Sequence, residues 1–185
     1  MKRIKTILLV FLSLAVCLSM TACGKPVPGK NRIIDDIMAN DSHFNGSGLK
    51  VTSFEITQRQ TRERDMEDRV WVTLRAENQY GAYEASYELL YVLYNDGWKL
   101  EDCDRADYTV TPNTYPTEEE LMQSVIDEGY TDVTVVNTVF GETTVGVAFT
   151  GYREGRWWDI SRGCKFSLAS GWSEPTGIAM TRPEW

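Results

Sequence analysis

A chain of 185 residues, 42% hydrophobic and 25% charged, is long enough to bury a sizeable core and too apolar to stay disordered. With 27 acidic against 19 basic side chains and a net charge of −8, it lacks the basic surface that phosphate neutralisation needs, so no nucleic-acid partner is expected. Four cysteines are too few for a disulfide-dense scaffold.

The chain opens on an address. Lys2, Arg3 and Lys5 precede an apolar run from Ile7 to Met20. That run is shorter than the ~20 residues a membrane-spanning helix needs and fits the h-region of a secretory leader. It ends in Met20-Thr21-Ala22-Cys23, which resembles the lipobox of bacterial lipoproteins, with Met20 where leucine is the commoner residue. The resemblance implies cleavage after Ala22, a diacylglycerol thioether on Cys23, and a location on the extracytoplasmic face of the bacterial cell membrane. Lys2, Arg3 and Lys5 leave with the leader, so the mature chain is more acidic still and ill-suited to a polybasic grip on anionic lipid. Gly24 to Lys30 is rich in Pro and Gly and reads as a short stalk.

Ile33, Ile34, Ile37 and Met38 fall at helical spacing and predict an amphipathic helix over 31–40. Strands are expected near 49–58, 69–78, 82–94 and 97–103, with Asn95-Asp96-Gly97 as a hairpin turn. The order then restarts. Thr117 and Glu120 form a capping box ahead of Leu121, Met122, Val125 and Ile126, and strands follow near 131–140, 143–152, 156–168 and 171–180. An offset of 74 lays 70–98 on 144–172 without a gap, placing Gly81 on Gly155, Tyr83 on Trp157 and Gly97-Trp98 on Gly171-Trp172.

The expected fold class is therefore α+β: two tandem units, each a helix on a four-stranded antiparallel sheet. Its domains are a leader over 1–22, lipidated cysteine and stalk over 23–30, a first unit over 31–108 and a second over 109–185. Such units resemble cystatin-like and NTF2-like folds. The Tyr94-to-Trp98 turn is also similar to those closing each unit in small lipoproteins of Gram-positive bacteria. Neither resemblance carries catalytic residues with it.

Few residues point to chemistry. His43 is the only histidine, sits in an expected loop, and has no nucleophile motif around it. Arg59 to Arg69 mixes arginines and acids and reads as a long charged hairpin tip. Tyr83, Tyr87 and Tyr91 share one strand face; whether Trp71 of the strand before joins them depends on register, and Trp157 stands near the corresponding place of the second unit. That face serves either packing or contact with a ligand. Asp102, Asp104 and Asp107 lack the spacing of a calcium loop and read as a solvated linker between units. Cys103 and Cys164 leave a stapling disulfide and two free thiols equally open, and no zinc motif is present. No metal or cofactor is expected.

The functional expectation is a lipid-anchored extracytoplasmic binding module that meets an envelope protein, a peptide or a small ligand. An envelope-acting hydrolase or lyase with an NTF2-like pocket is the alternative. A protein inhibitor is a third reading, because tandem helix-plus-sheet units resemble β-lactamase-inhibitor proteins.

Overall fold

The computed structural model describes residues 25–182 apart from Glu63 and Asp65, so the expected leader, the lipobox-like motif and Cys23 lie outside the described residues. The chain is α+β, and the described residues form two α-helices and two antiparallel sheets. Helix α1 (Lys30–Asn40) and a short 3-10 turn (Ser42–Phe44) precede β1 (Lys50–Arg62), β2 (Glu67–Glu77), β3 (Gly81–Tyr94) and β4 (Gly97–Pro112). Helix α2 (Glu118–Asp127) precedes β5 (Thr131–Phe140), β6 (Thr144–Arg153), β7 (Arg156–Ser167), β8 (Gly171–Trp172) and β9 (Thr176–Thr181). Among the described residues no helix is long and apolar enough to cross a membrane.

Alternation decides which side of the first sheet is dry. On β3 every second residue from Tyr83 to Tyr91 is buried, and Val70, Val72, Leu74 and Ala76 of β2 lie across from them. Ile33 and Ile37 of α1 join this core with no exposed surface, each contributing about 2 kcal/mol by leaving water. The opposite face is charged: Arg69 meets Glu88 at 2.9 Å, and Arg75 pairs with Glu84 and Glu77.

In the second sheet Leu121 and Val125 of α2 share a core with Val145, Val147, Phe149 and Ile160. The capping box forms as expected: the Glu120 amide donates to Thr117 Oγ1 at 3.1 Å, and the Thr117 amide to Glu120 Oε2 at 2.9 Å. The expected fourth strand is two strands, β8 and β9, both paired to β7. Ser173 and Pro175 explain the break. Ser173 Oγ takes the Lys165 amide at 3.1 Å, and Pro175 has no N–H to offer the ladder. The sheet therefore has five strands rather than four.

Other expectations change too. Asp102, Asp104 and Asp107 belong to β4 rather than to a linker, opposite Leu90, Glu88 and Ser86 on the solvent face. Pairing of β4 with β3 continues to Gly81–Pro112, so the expected boundary at 108/109 falls inside a strand. The acids are accommodated there because the strand needs only one dry face. The charged tip is also mostly strand: Asp68 is fully buried and accepts from Arg59 Nη2 at 2.6 Å and Thr61 Oγ1 at 2.8 Å.

The halves meet at one joint. Leu168, after β7, is buried in the first core, with Phe166 packed against it. Asn78 Nδ2 donates to the carbonyls of Ser47 at 2.7 Å and Leu168 at 2.6 Å. Gly171 has a φ of +76° and lies against the Tyr80 ring, where a Cβ would come within 2.8 Å.

Candidate functional site

The tyrosines come first because the sequence singles them out. Tyr83, Tyr87 and Tyr91 are at most 2% exposed and point at α1 and the loop after it. Their hydroxyls reach carboxylates there: Tyr83 and Tyr87 each donate to Asp41 Oδ2 at 2.6 Å, and Tyr91 donates to Asp36 Oδ2 at 2.9 Å. A buried phenol needs such a partner, so the rings pack the core while the hydroxyls fasten the helix. They offer no contact area to a ligand.

Asp41 is the hub. It closes α1, its Oδ1 accepts the His43 amide at 2.9 Å, and Arg105 Nη1 of β4 lies 3.1 Å from both oxygens. Burial is the largest influence on Asp41 and disfavours its charge. Hydrogen bonds from Tyr83, Tyr87 and His43 together outweigh burial and hold the carboxyl well below the usual carboxylate range. The same contacts act in reverse on the phenols. Burial, then bonding to the Asp41 carboxylate, pushes Tyr83 up to about 12 and raises Tyr87 further.

His43 stands at the mouth of this cluster. Its ring stacks on Tyr83 at 4.7 Å and lies 5.1 Å from Tyr108, over which the Arg105 guanidinium sits at 4.3 Å. Nδ1 is 2.9 Å from Asp41 Oδ1 and 2.8 Å from Arg105 Nη1. One nitrogen cannot donate to the carboxylate and accept from the guanidinium together, so the tautomer follows the direction of the Arg105 protons. Among the described residues Nε2 has no hydrogen-bond partner.

In front of His43 a cleft of about 710 Å³ opens where the two sheets meet. One wall is His43, Ser42 and Ser47 with Tyr108 and Val110 of β4; the other is Glu142 and Thr143 before β6 with Phe166 and Ser167 of β7. The lining combines an imidazole, several hydroxyls, one carboxylate and two aromatic rings. A concave site of this size between two layers, with few polar groups converging, is the usual form of a small-ligand pocket. A smaller hollow of about 220 Å³ is bordered by Asp41, Tyr87, Cys103 and Arg105.

The remaining expected site residues lie apart from the cleft. Trp71 is half-buried on the outer face of β2, opposite Gln58 and Glu88. Trp157 is 45% exposed on the outer face of the second sheet, edge-on to Tyr152 at 5.6 Å. Both thiols are free, with Cys103 packed against the first core and Cys164 buried in the second. Burial, with Asp41, Asp102 and Asp104 nearby, pushes the Cys103 thiol up to about 11, and burial raises Cys164 as well. Neither is poised as a nucleophile. Among the described residues no group of three or more His, Cys, Asp or Glu side chains is placed to hold a metal ion.

Sequence reasoning missed Asp41, Arg105 and Tyr108. One signal was available for Asp41: an acid directly after an amphipathic helix and two residues before the lone histidine. No protein-family model matches the chain, and a comparison with curated proteins finds no match either.

Proposed function

We propose that the protein is a lipid-anchored extracytoplasmic binding module, with the cleft between its sheets as the site for a small polar ligand. The cleft carries this reading: it joins elements of both halves around an imidazole held by buried partners. His43 and the hydroxyls supply directional contacts, while Tyr108 and Phe166 supply flat apolar area. Anchoring rests on the Met20-to-Cys23 motif, through which a diacylglycerol would hold the chain at the outer surface of the cell membrane.

We read the two halves as tandem units of the cystatin-like or NTF2-like kind. Several matched details support this. Trp98 and Trp172 each follow a positive-φ glycine, and each indole donates to a carbonyl just ahead of its own unit's helix, Lys25 at 2.9 Å and Thr114 at 2.6 Å. An acid closes each helix and meets a sheet arginine, Asp41 with Arg105 and Glu128 with Arg162.

Asp41 beside His43 is also how a general base is oriented. Arg105 shares the same carboxylate, which supports binding over hydrolysis as our reading.

The test uses the mature chain exposed to a native envelope extract, with retained small molecules identified by mass spectrometry. Ser167→Trp, which fills the cleft, should abolish retention, whereas Trp157→Ala should leave it unchanged. Retention lost with Trp157→Ala and kept with Ser167→Trp would move the site to the outer face of the second sheet. For the anchor, Cys23→Ser should release the protein from the membrane fraction; a variant that is processed and stays bound would refute lipidation.

A further inference from the structure

The chain that leaves the lipid attachment point is fastened to one end of the first sheet. The Lys25 carbonyl accepts from Trp98 Nε1 at 2.9 Å, Lys25 Nζ reaches the Asn95 carbonyl, and Arg59 Nη2 donates to the Pro28 carbonyl at 2.9 Å. The segment expected as a free stalk is therefore docked from Lys25 onward. Between Cys23 and Lys25 the backbone spans at most about 7 Å, even fully extended. A lipid on Cys23 cannot lie far from the turn between β3 and β4.

The turn between β1 and β2 is at the same end, because the Leu93 amide donates to the Met66 carbonyl at 2.8 Å. The two turns expose Met66 at 54% and Tyr94 at 45% of their surfaces. Charges at this end are of both signs. Lys99 pairs with Asp96 at 3.0 Å and covers the Tyr94 ring at 5.1 Å, while Arg64 and Glu67 stand near Met66. A tyrosine with a nearby ammonium and a flexible thioether suit the zone between headgroups and acyl chains. With charges of both signs among the described residues here, no anionic lipid is needed.

Resting on the lipid-anchor reading above, we propose that this turn end, through Met66 and Tyr94, seats on the bilayer interface. β4 runs sixteen residues away from it, about 50 Å at the usual rise per residue. The cleft, near the far end of β4, is thus presented away from the lipid.

Hydroxyl-radical footprinting tests the seat with no substitution, because Met66 and Met180 are 54% and 61% exposed and serve as matched reporters. The mature chain is coupled through Cys23 to a maleimide phospholipid in phosphatidylcholine vesicles. Cys103 and Cys164, with their raised thiols, react slowly under the same conditions. Compared with the chain capped at Cys23 and free in solution, oxidation of Met66 should fall at least fivefold, while Met180 stays within twofold. Unchanged oxidation of Met66, or equal protection of both methionines, would overturn the proposal. Protection that appears only with phosphatidylglycerol would overturn it too, since charge would then be the cause. Because the lipid is supplied chemically, this outcome is separate from cellular acylation of Cys23, which the Cys23→Ser fractionation reads.

Discussion

The first sheet carries ion pairs across its outer face and buries three tyrosines and a carboxylate under its helix. The second leaves Val139, Ile178 and Met180 each more than 60% exposed outside, around a floor of Gly146, Ala148, Ser161 and Gly163. Its polar interior group is Arg162, which reaches the half-exposed Glu128. The edges differ in the same sense. β1 and β4 are studded with charges, while β5 has only Asp132 and β9 has none. Charged edges discourage pairing with another strand. The first sheet is thus specified by a buried polar network, and the second mainly by apolar packing.

That contrast has consequences in order of size. Asp41→Ala leaves Tyr83 and Tyr87 without their acceptor and Arg105 without its counter-charge; we expect a loss of about 4 kcal/mol by urea unfolding. Glu128→Ala should lose only about 1 kcal/mol, because Glu128 is half-exposed and Arg162 keeps the Ser161 carbonyl at 2.9 Å. Similar losses for the two variants would erase the distinction.

Tyr87→Phe should come next, at about 1.5 kcal/mol, and should also alter the response to pH. Asp41 is held ionised in the folded state, so its contribution is whole above the ordinary aspartate value of about 3.9 and is lost as pH falls below it. The buried phenols resist ionising, so their contribution is whole below about pH 10. It is lost as pH rises past that value, because burial and the bond to the Asp41 carboxylate push Tyr83 up to about 12. The urea midpoint should therefore be level from about pH 5 to 9 and fall on both sides, with a shallower alkaline fall in Tyr87→Phe. Absorbance of tyrosinate at high pH should show late ionisation only on unfolding.

The smallest effect belongs to the second sheet's open face. Ile178→Ser should change stability by less than about 0.5 kcal/mol, as read by the same urea midpoint. A larger loss would mean that this face is covered in solution.

The sequence showed the elements well because their periodicities are strong. Alternation along β3 and the Ile33/Ile37 spacing both fix which side faces the core. Thr117 and Glu120 likewise marked the start of α2 one residue from where it forms. What stayed hidden was tertiary. Nothing local in Arg105 indicates Asp41 as its partner, and an acidic run around it suggested solvent. Tyr83, Tyr87 and Tyr91 were recognised as one face, yet only the fold shows what covers them. The cleft belongs to no single segment, so no local pattern announces it.

Leu168 gives the molecule an order of assembly. A chain that emerges amino-terminus first completes the pairing of β1 to β4 at Pro112. The core beneath that sheet stays open at one corner until Leu168 and Phe166 arrive after β7. During synthesis the first half would therefore wait, partly unsealed, for most of the second to emerge. A chain stopped short of Leu168 would display that gap to quality-control proteases as a mark of incompleteness.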